Sequence, residues 1–103
     1  MEDDQLLMFA AKASGLSVQF SNNYGDFSIG KPYSREEVRW NPLDDDGDAL
    51  RLAVKLGIGI NFYPDSDSVA ANIGHDEIIA EMDDFGTRRA IVRVAAEIGR
   101  RMP

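Results

Sequence analysis

The sequence predicts an α+β fold, a layered α/β sandwich of about three helices packed on a mainly antiparallel sheet of four to five strands. Three observations predict it. Two segments, one behind Asp44-Asp45-Asp46 and one behind Asp83-Asp84, carry apolar residues at helical spacing after aspartates suited to helix capping. Between them, residues 58–82 read as short apolar runs separated by turn residues. The chain is 103 residues long, which fits one domain, residues 1–103, around one core.

The elements follow in order. Asp3 or Asp4 opens a first helix, because a short carboxylate accepts the orphan N–H groups of the first turn. Leu6, Leu7, Ala10 and Ala11 form its apolar stripe, with Phe9 and Ala13 widening it, and Gly15 ends it. Residues 17–20 read as a short strand with Val18 and Phe20 on one face. Residues 21–26 are a turn-rich break, and Phe27, Ser28 and Ile29 a second short strand. From Tyr33 to Arg39 two readings stay open: a helical turn from Ser34, or an extended run into Val38 and Trp40.

Residues 40–57 are the best-specified stretch. Pro42 pushes Asn41 out of the helical region. Asp44, Asp45 or Asp46 caps the helix that follows, and with Asp45 as cap Asp48 takes the third helical position. Ala49, Leu50, Leu52, Ala53, Val54 and Leu56 sweep more than half of the circumference. An arc that broad predicts a helix sandwiched between a sheet face and another helix, ended by Gly57. Residues 58–63 then alternate as a half-buried strand, and residues 64–68 turn. Residues 69–73 and 77–82 predict two more strands joined around Gly74-His75-Asp76, with a helical reading of 77–82 also open. Asp83 or Asp84 caps the last helix, whose core stripe is Ala90, Ile91, Val94, Ala95, Ile98 and Met102. Arg89, Arg93 and Arg100 line a different face.

Composition narrows the function classes. There is no cysteine, which excludes disulfides, thiolate metal sites and cysteine nucleophiles. The acidic start Met1-Glu2-Asp3-Asp4 is unlike a secretory leader, so the expected compartment is the cytoplasm. No apolar run approaches the roughly 20 residues that span a bilayer, so no membrane partner is expected. The net charge is −7, but residues 85–103 hold Arg88, Arg89, Arg93, Arg100 and Arg101 against Glu97 alone. The acidic remainder argues against general nucleic-acid binding, while the arginines leave it open locally.

Trp40-Asn41-Pro42-Leu43 with residues 45–56, and Ala90-Ile91-Val92-Arg93 with residues 95–100, resemble motifs of small tailed-phage and prophage proteins, the phage "ABA sandwich" domain family. The two motifs cover about a third of the chain. The resemblance implies a phage origin and helices layered around a sheet. It brings no catalytic residue and no cofactor with it.

The residues themselves supply little chemistry. Asp44, Asp46 and Asp48 alternate like a calcium loop, but the sixth and twelfth positions are Ala49 and Lys55 where glycine and glutamate are needed. A looser Mg²⁺ or Ca²⁺ site at Asp44, Asp45 and Asp46 competes with plain helix capping. His75 is the only histidine and sits in a turn. Gly57-Ile58-Gly59 precedes a strand, so it is not a phosphate-binding loop. Trp40 reads either as core or as an exposed anchor, and Tyr24, Phe27 and Tyr33 as loop packing or a recognition loop. The expectation is a non-catalytic phage accessory protein, without cofactor, that binds a phage or host protein or a second copy of itself. Trp40, Arg89, Arg93 and Arg100 are the candidate contact residues. The alternatives are nucleic-acid association through the arginines and a divalent-metal activity at residues 44–48.

Overall fold

Capping chemistry sets the helices close to where the sequence predicts them. In the computed structural model, which describes residues 1–103, helix α1 spans Asp3–Ser14, α2 Asp46–Leu56 and α3 Asp84–Arg101. Asp45 caps α2 by accepting the Asp48 N–H at 2.8 Å, and Asp83 caps α3 by accepting the Gly86 N–H at 2.6 Å. At α1 the cap is Glu2, whose N–H donates to Gln5 Oε1 at 3.1 Å. Asp3 and Asp4 therefore lie inside the first turn, where the helix dipole favours a negative charge. Gly57 closes α2 at φ 73°, a left-handed conformation that glycine adopts without steric cost.

The strands are β1 (Gln19–Ser21), β2 (Asp26–Ile29), β3 (Val38–Arg39), β4 (Gly59–Tyr63), β5 (Ser68–Ile73) and β6 (Asp76–Glu81). They do not form the single sheet of four to five strands that the sequence predicts. They form two three-stranded antiparallel sheets, β1-β2-β3 and β4-β5-β6. The reason is local. Each meander pairs strands that follow one another in the chain, and the Asn41-Pro42 break with α2 separates the two. Residues 34–37 form turns, then β3 runs extended into Trp40, whose N–H donates to the Phe27 carbonyl at 2.9 Å. Residues 76–81 are strand, joined to β5 by the two-residue turn Gly74-His75.

Helix α3 is the centre of the molecule. It packs against α1, against β5 and β6, and against α2. Ala90, Ile91, Val92, Val94, Ala95, Ala96 and Gly99 are all buried, so it is apolar nearly all round. At Gly99 the two helix backbones come so close that a Cβ would collide with the Phe9 carbonyl oxygen of α1. The sandwiched helix is thus α3, where the sequence predicted α2. Helix α2 flanks α3 and buries Ala49, Leu52 and Ala53, while Leu50 is 59 % and Val54 73 % exposed. Its apolar arc is wider than the one surface it has to cover. Met102 lies past the end of α3 and is exposed, outside the predicted core stripe.

Ile60, Ala71, Ile73, Ile78 and Ala80 face the core from the β4-β5-β6 sheet. The alternate positions Asn61, Tyr63, Glu77, Ile79 and Glu81 are exposed on its outer face. All three helices therefore serve the inner face. No helix is long and apolar enough to cross a membrane.

Candidate interaction surface

The stretch from Trp40 to Asp48 is a structural junction. Trp40 is 4 % exposed and belongs to the core cluster, which takes it off the surface as a contact anchor. Its large apolar ring is covered where the small sheet meets α2, the outcome that hydrophobic burial favours. Asn41 joins β2 to α2 and braces its own turn: its side-chain N–H donates to Asp26 on β2 at 2.8 Å, its backbone N–H donates to Asp48 on α2 at 2.9 Å, and its Oδ1 accepts the Leu43 N–H at 3.0 Å. The aspartates of the acidic knot are each engaged separately. Asp44 accepts from Arg39 at 2.9 Å, Asp45 caps α2, Asp46 accepts from Arg88 at 2.6 Å, and Asp48 accepts from Arg51 at 2.8 Å. No group of three or more histidines, aspartates or glutamates is placed to hold a metal ion. His75 is exposed in its turn.

Four of the five C-terminal arginines serve as staples between elements or along α3. Arg88 ties α3 to α2 through Asp46 and also donates to the Leu43 carbonyl at 2.9 Å. Arg89 reaches Asp3 at the start of α1 at 2.9 Å and lies 5.9 Å from the Phe85 ring centroid. Arg101 pairs with Asp76 at the start of β6, and Arg100 with Glu97 one turn back at 2.7 Å. Arg93 alone is exposed with no carboxylate partner. The face that Arg89, Arg93 and Arg100 line is therefore largely neutralised within the chain.

The small sheet carries one buried acid. Glu37 accepts the Ser28 hydroxyl at 2.8 Å and the Tyr33 N–H at 3.3 Å, fixing the loop between β2 and β3. The Ser28 hydrogen bond is the largest influence on its carboxyl. It and the Tyr33 N–H hold the group below its ordinary range, against the opposing effect of burial. At Asp26 burial pushes the carboxyl up, but bonds from Asn41, the Phe27 N–H and Arg39 outweigh it and leave a net lowering. Tyr24 and Tyr33 are exposed, and Phe27 is half-buried with its ring 6.3 Å from that of Phe20, edge to face.

The two largest of the described grooves are both walled by α2. One, of about 420 Å³, runs over Leu16, Val38, Trp40 and Leu52 with Arg39, Arg51 and Lys55 at its rim. Its arginines are already bound to Asp26, Asp44, Asp45 and Asp48. The other, of about 410 Å³, lies among α2, β4 and the start of α3, lined by Ala49, Leu50, Ile60, Phe62 and Ile91 with Asp83, Asp84 and Arg88 at its polar end. Phe62 is 55 % exposed and shares this groove with Leu50, and Val54 is exposed one turn further along α2. Strand β4 pairs only with β5, so its other edge is free. The α2–β4 side thus sets exposed apolar side chains next to free backbone groups.

The chain matches no family model, no curated protein and no solved structure. Leu50, Val54 and Phe62 were not among the residues the sequence singled out. The signal was present in the breadth of the α2 arc, which held more apolar residues than one packing partner needs. Trp40 was singled out and is core; Arg89 and Arg100 were singled out and are paired; Arg93 remains free at the surface.

Proposed function

We propose that this chain is a phage-encoded accessory protein of the host cytoplasm that acts by non-catalytic protein–protein contact, with the α2–β4 side as its contact surface. One observation carries the reading. Leu50 and Phe62 are exposed across one groove beside a free strand edge, with Val54 exposed one turn along α2 from Leu50, and exposed apolar groups gathered in this way mark an interaction site. The phage origin rests on the resemblance of residues 40–56 and 90–100 to the ABA sandwich motifs. The nucleic-acid alternative has Arg93 as its one C-terminal arginine without a carboxylate partner, little for an interaction driven by phosphate neutralisation. The metal alternative has no free cluster of carboxylates at residues 44–48.

The test is site-specific photocrosslinking. A benzophenone side chain at position 50 or 62 should capture a discrete protein in cells that express the chain. The same probe at Glu77, on the outer sheet face, serves as the control. Failure to capture any protein from positions 50 and 62, or equal capture from position 77, rejects the reading.

A further inference from the structure

The β4 edge and the outer row of α2 together have a self-complementary layout. Resting on the protein-contact reading above, we infer that the partner is a second copy of this chain, docked about a twofold axis on the α2–β4 side.

The first observation concerns the two edges of one sheet. Strand β6 carries Asp76, Glu77 and Glu81, and edge charges block pairing with another chain. Strand β4, Gly59-Ile60-Asn61-Phe62-Tyr63, carries no charge and no proline. One edge is protected and the other is open. Antiparallel pairing of β4 with the same strand of a second copy satisfies its free backbone groups and doubles the three-stranded sheet.

The second observation concerns α2. Gly47, Leu50 and Val54 fall at spacings of three and four, which places them in one row on the side turned away from α3. Leu50, at one margin of that row, shares with Phe62 of β4 the groove whose far wall is Thr87, Arg88 and Ile91 of α3. A twofold axis perpendicular to the sheet that pairs the β4 strands therefore lays the two α2 helices side by side and antiparallel, with apolar row against apolar row.

The third observation is charge. Helix α2 begins with Asp45 as its cap and Asp46 and Asp48 in its first turn, and ends with Lys55. Lys55 is exposed and has no carboxylate partner within the chain. Antiparallel docking brings the Lys55 end of each α2 alongside the start of the partner's α2, whose aspartates already hold Arg51 and Arg88, and opposes the two helix dipoles. Parallel docking would set acid against acid. The second copy thus supplies the apolar row, the open edge and the opposed helix dipole without any further requirement.

Sedimentation and light scattering across about micromolar to about millimolar chain concentration test the inference. A concentration-dependent dimer is expected. Leu50→Lys with Val54→Lys should weaken it by at least about tenfold, because truncating or charging central apolar anchors dominates interface energetics. Phe62→Pro should weaken it similarly by removing an N–H that faces the free edge of β4, and Lys55→Glu by a smaller factor that shrinks in high salt. The circular-dichroism melting midpoint of the Leu50, Val54 and Lys55 variants should stay near that of the natural chain, since these side chains are exposed. A monomer throughout the range overturns the inference, as does a dimer that survives both the α2 and the β4 variants. If the chain is monomeric while position 50 or 62 crosslinks to a different protein, the second-copy inference falls and the protein-contact reading stands. If nothing crosslinks, both fall.

Discussion

At the scale of single residues, Asn41 and Asp48 carry more than their positions suggest. Asp48 is buried and accepts both the Asn41 N–H and Arg51. Replacing it with alanine leaves that N–H without its partner, and a buried unsatisfied group costs about 1–3 kcal/mol. Denaturant unfolding of Asp48→Ala should show a loss of that size with little change in slope. The lowered carboxyls of Asp26 and Glu37, both tied into the small sheet, give a pH dependence. Asp26 and Glu37 titrate in the folded chain below their ordinary values of 3.8 and 4.5, so the unfolded chain binds protons more readily. The stability they contribute is complete above those values and is lost as pH falls through the lower folded ones. Acid titration followed by near-ultraviolet circular dichroism should show this, and Glu37→Gln should flatten the acid limb. The cap aspartates Asp45 and Asp83 were legible in the sequence because a cap acts within three residues. The role of Asn41 was not, because Asp26 lies fifteen residues before it and Asp48 seven after.

At the scale of elements, the contrast between α2 and α3 decides the architecture. Both are apolar over a wide arc, and only neighbours determine which arc is covered. Helix α3 has α1, the β4-β5-β6 sheet and α2 around it; α2 has α3 as its main helical neighbour. Gly99 marks how close α1 lies. Gly99→Val forces a side chain into the Phe9 backbone, and overpacking of this kind costs about 1–3 kcal/mol or more. A lowered melting midpoint, with loss of amide-exchange protection concentrated in α1, is the expected outcome; an unchanged midpoint would show that the helices can part freely. Leu50→Ser on exposed α2 should by contrast change stability by no more than about 0.5 kcal/mol. The existence and ends of the helices were readable from caps and periodicity. Their rank in burial was not, since periodicity reports which residues share a face and never what lies opposite.

At the scale of the whole molecule, a single hydrophobic cluster draws on α1, α2, α3, Trp40, Leu43, Ile58 and β5. Arginines on α3 fasten its periphery to α1, α2 and β6. Partly exposed ion pairs contribute at most about 1 kcal/mol each, so the cluster supplies most of the stability and the pairs fix geometry. The β1-β2-β3 sheet contributes no strand residue to the fully buried cluster and touches it through Phe27 and Ile29. It should therefore open before the rest. Native-state hydrogen exchange is expected to give the slowest amides in α3 and β5 and faster ones in β1 to β3. Equal protection across both sheets would contradict that order.

By itself the sequence determined the α+β class, the three helices, the aspartate caps of α2 and α3 and the glycine ends of α1 and α2, and short strands near residues 58–63 and 69–73, with 77–82 open between strand and helix. These follow from interactions within a few residues: capping bonds, glycine's left-handed freedom and alternation along a strand. Only the tertiary structure decided that the strands split into two sheets, that α3 takes the centre, that Trp40 is buried and the arginines are stapled, and that Leu50, Val54 and Phe62 are left beside an open edge. Those outcomes depend on which surfaces meet, and an apolar arc has the same pattern in the chain whether a neighbour covers it or not.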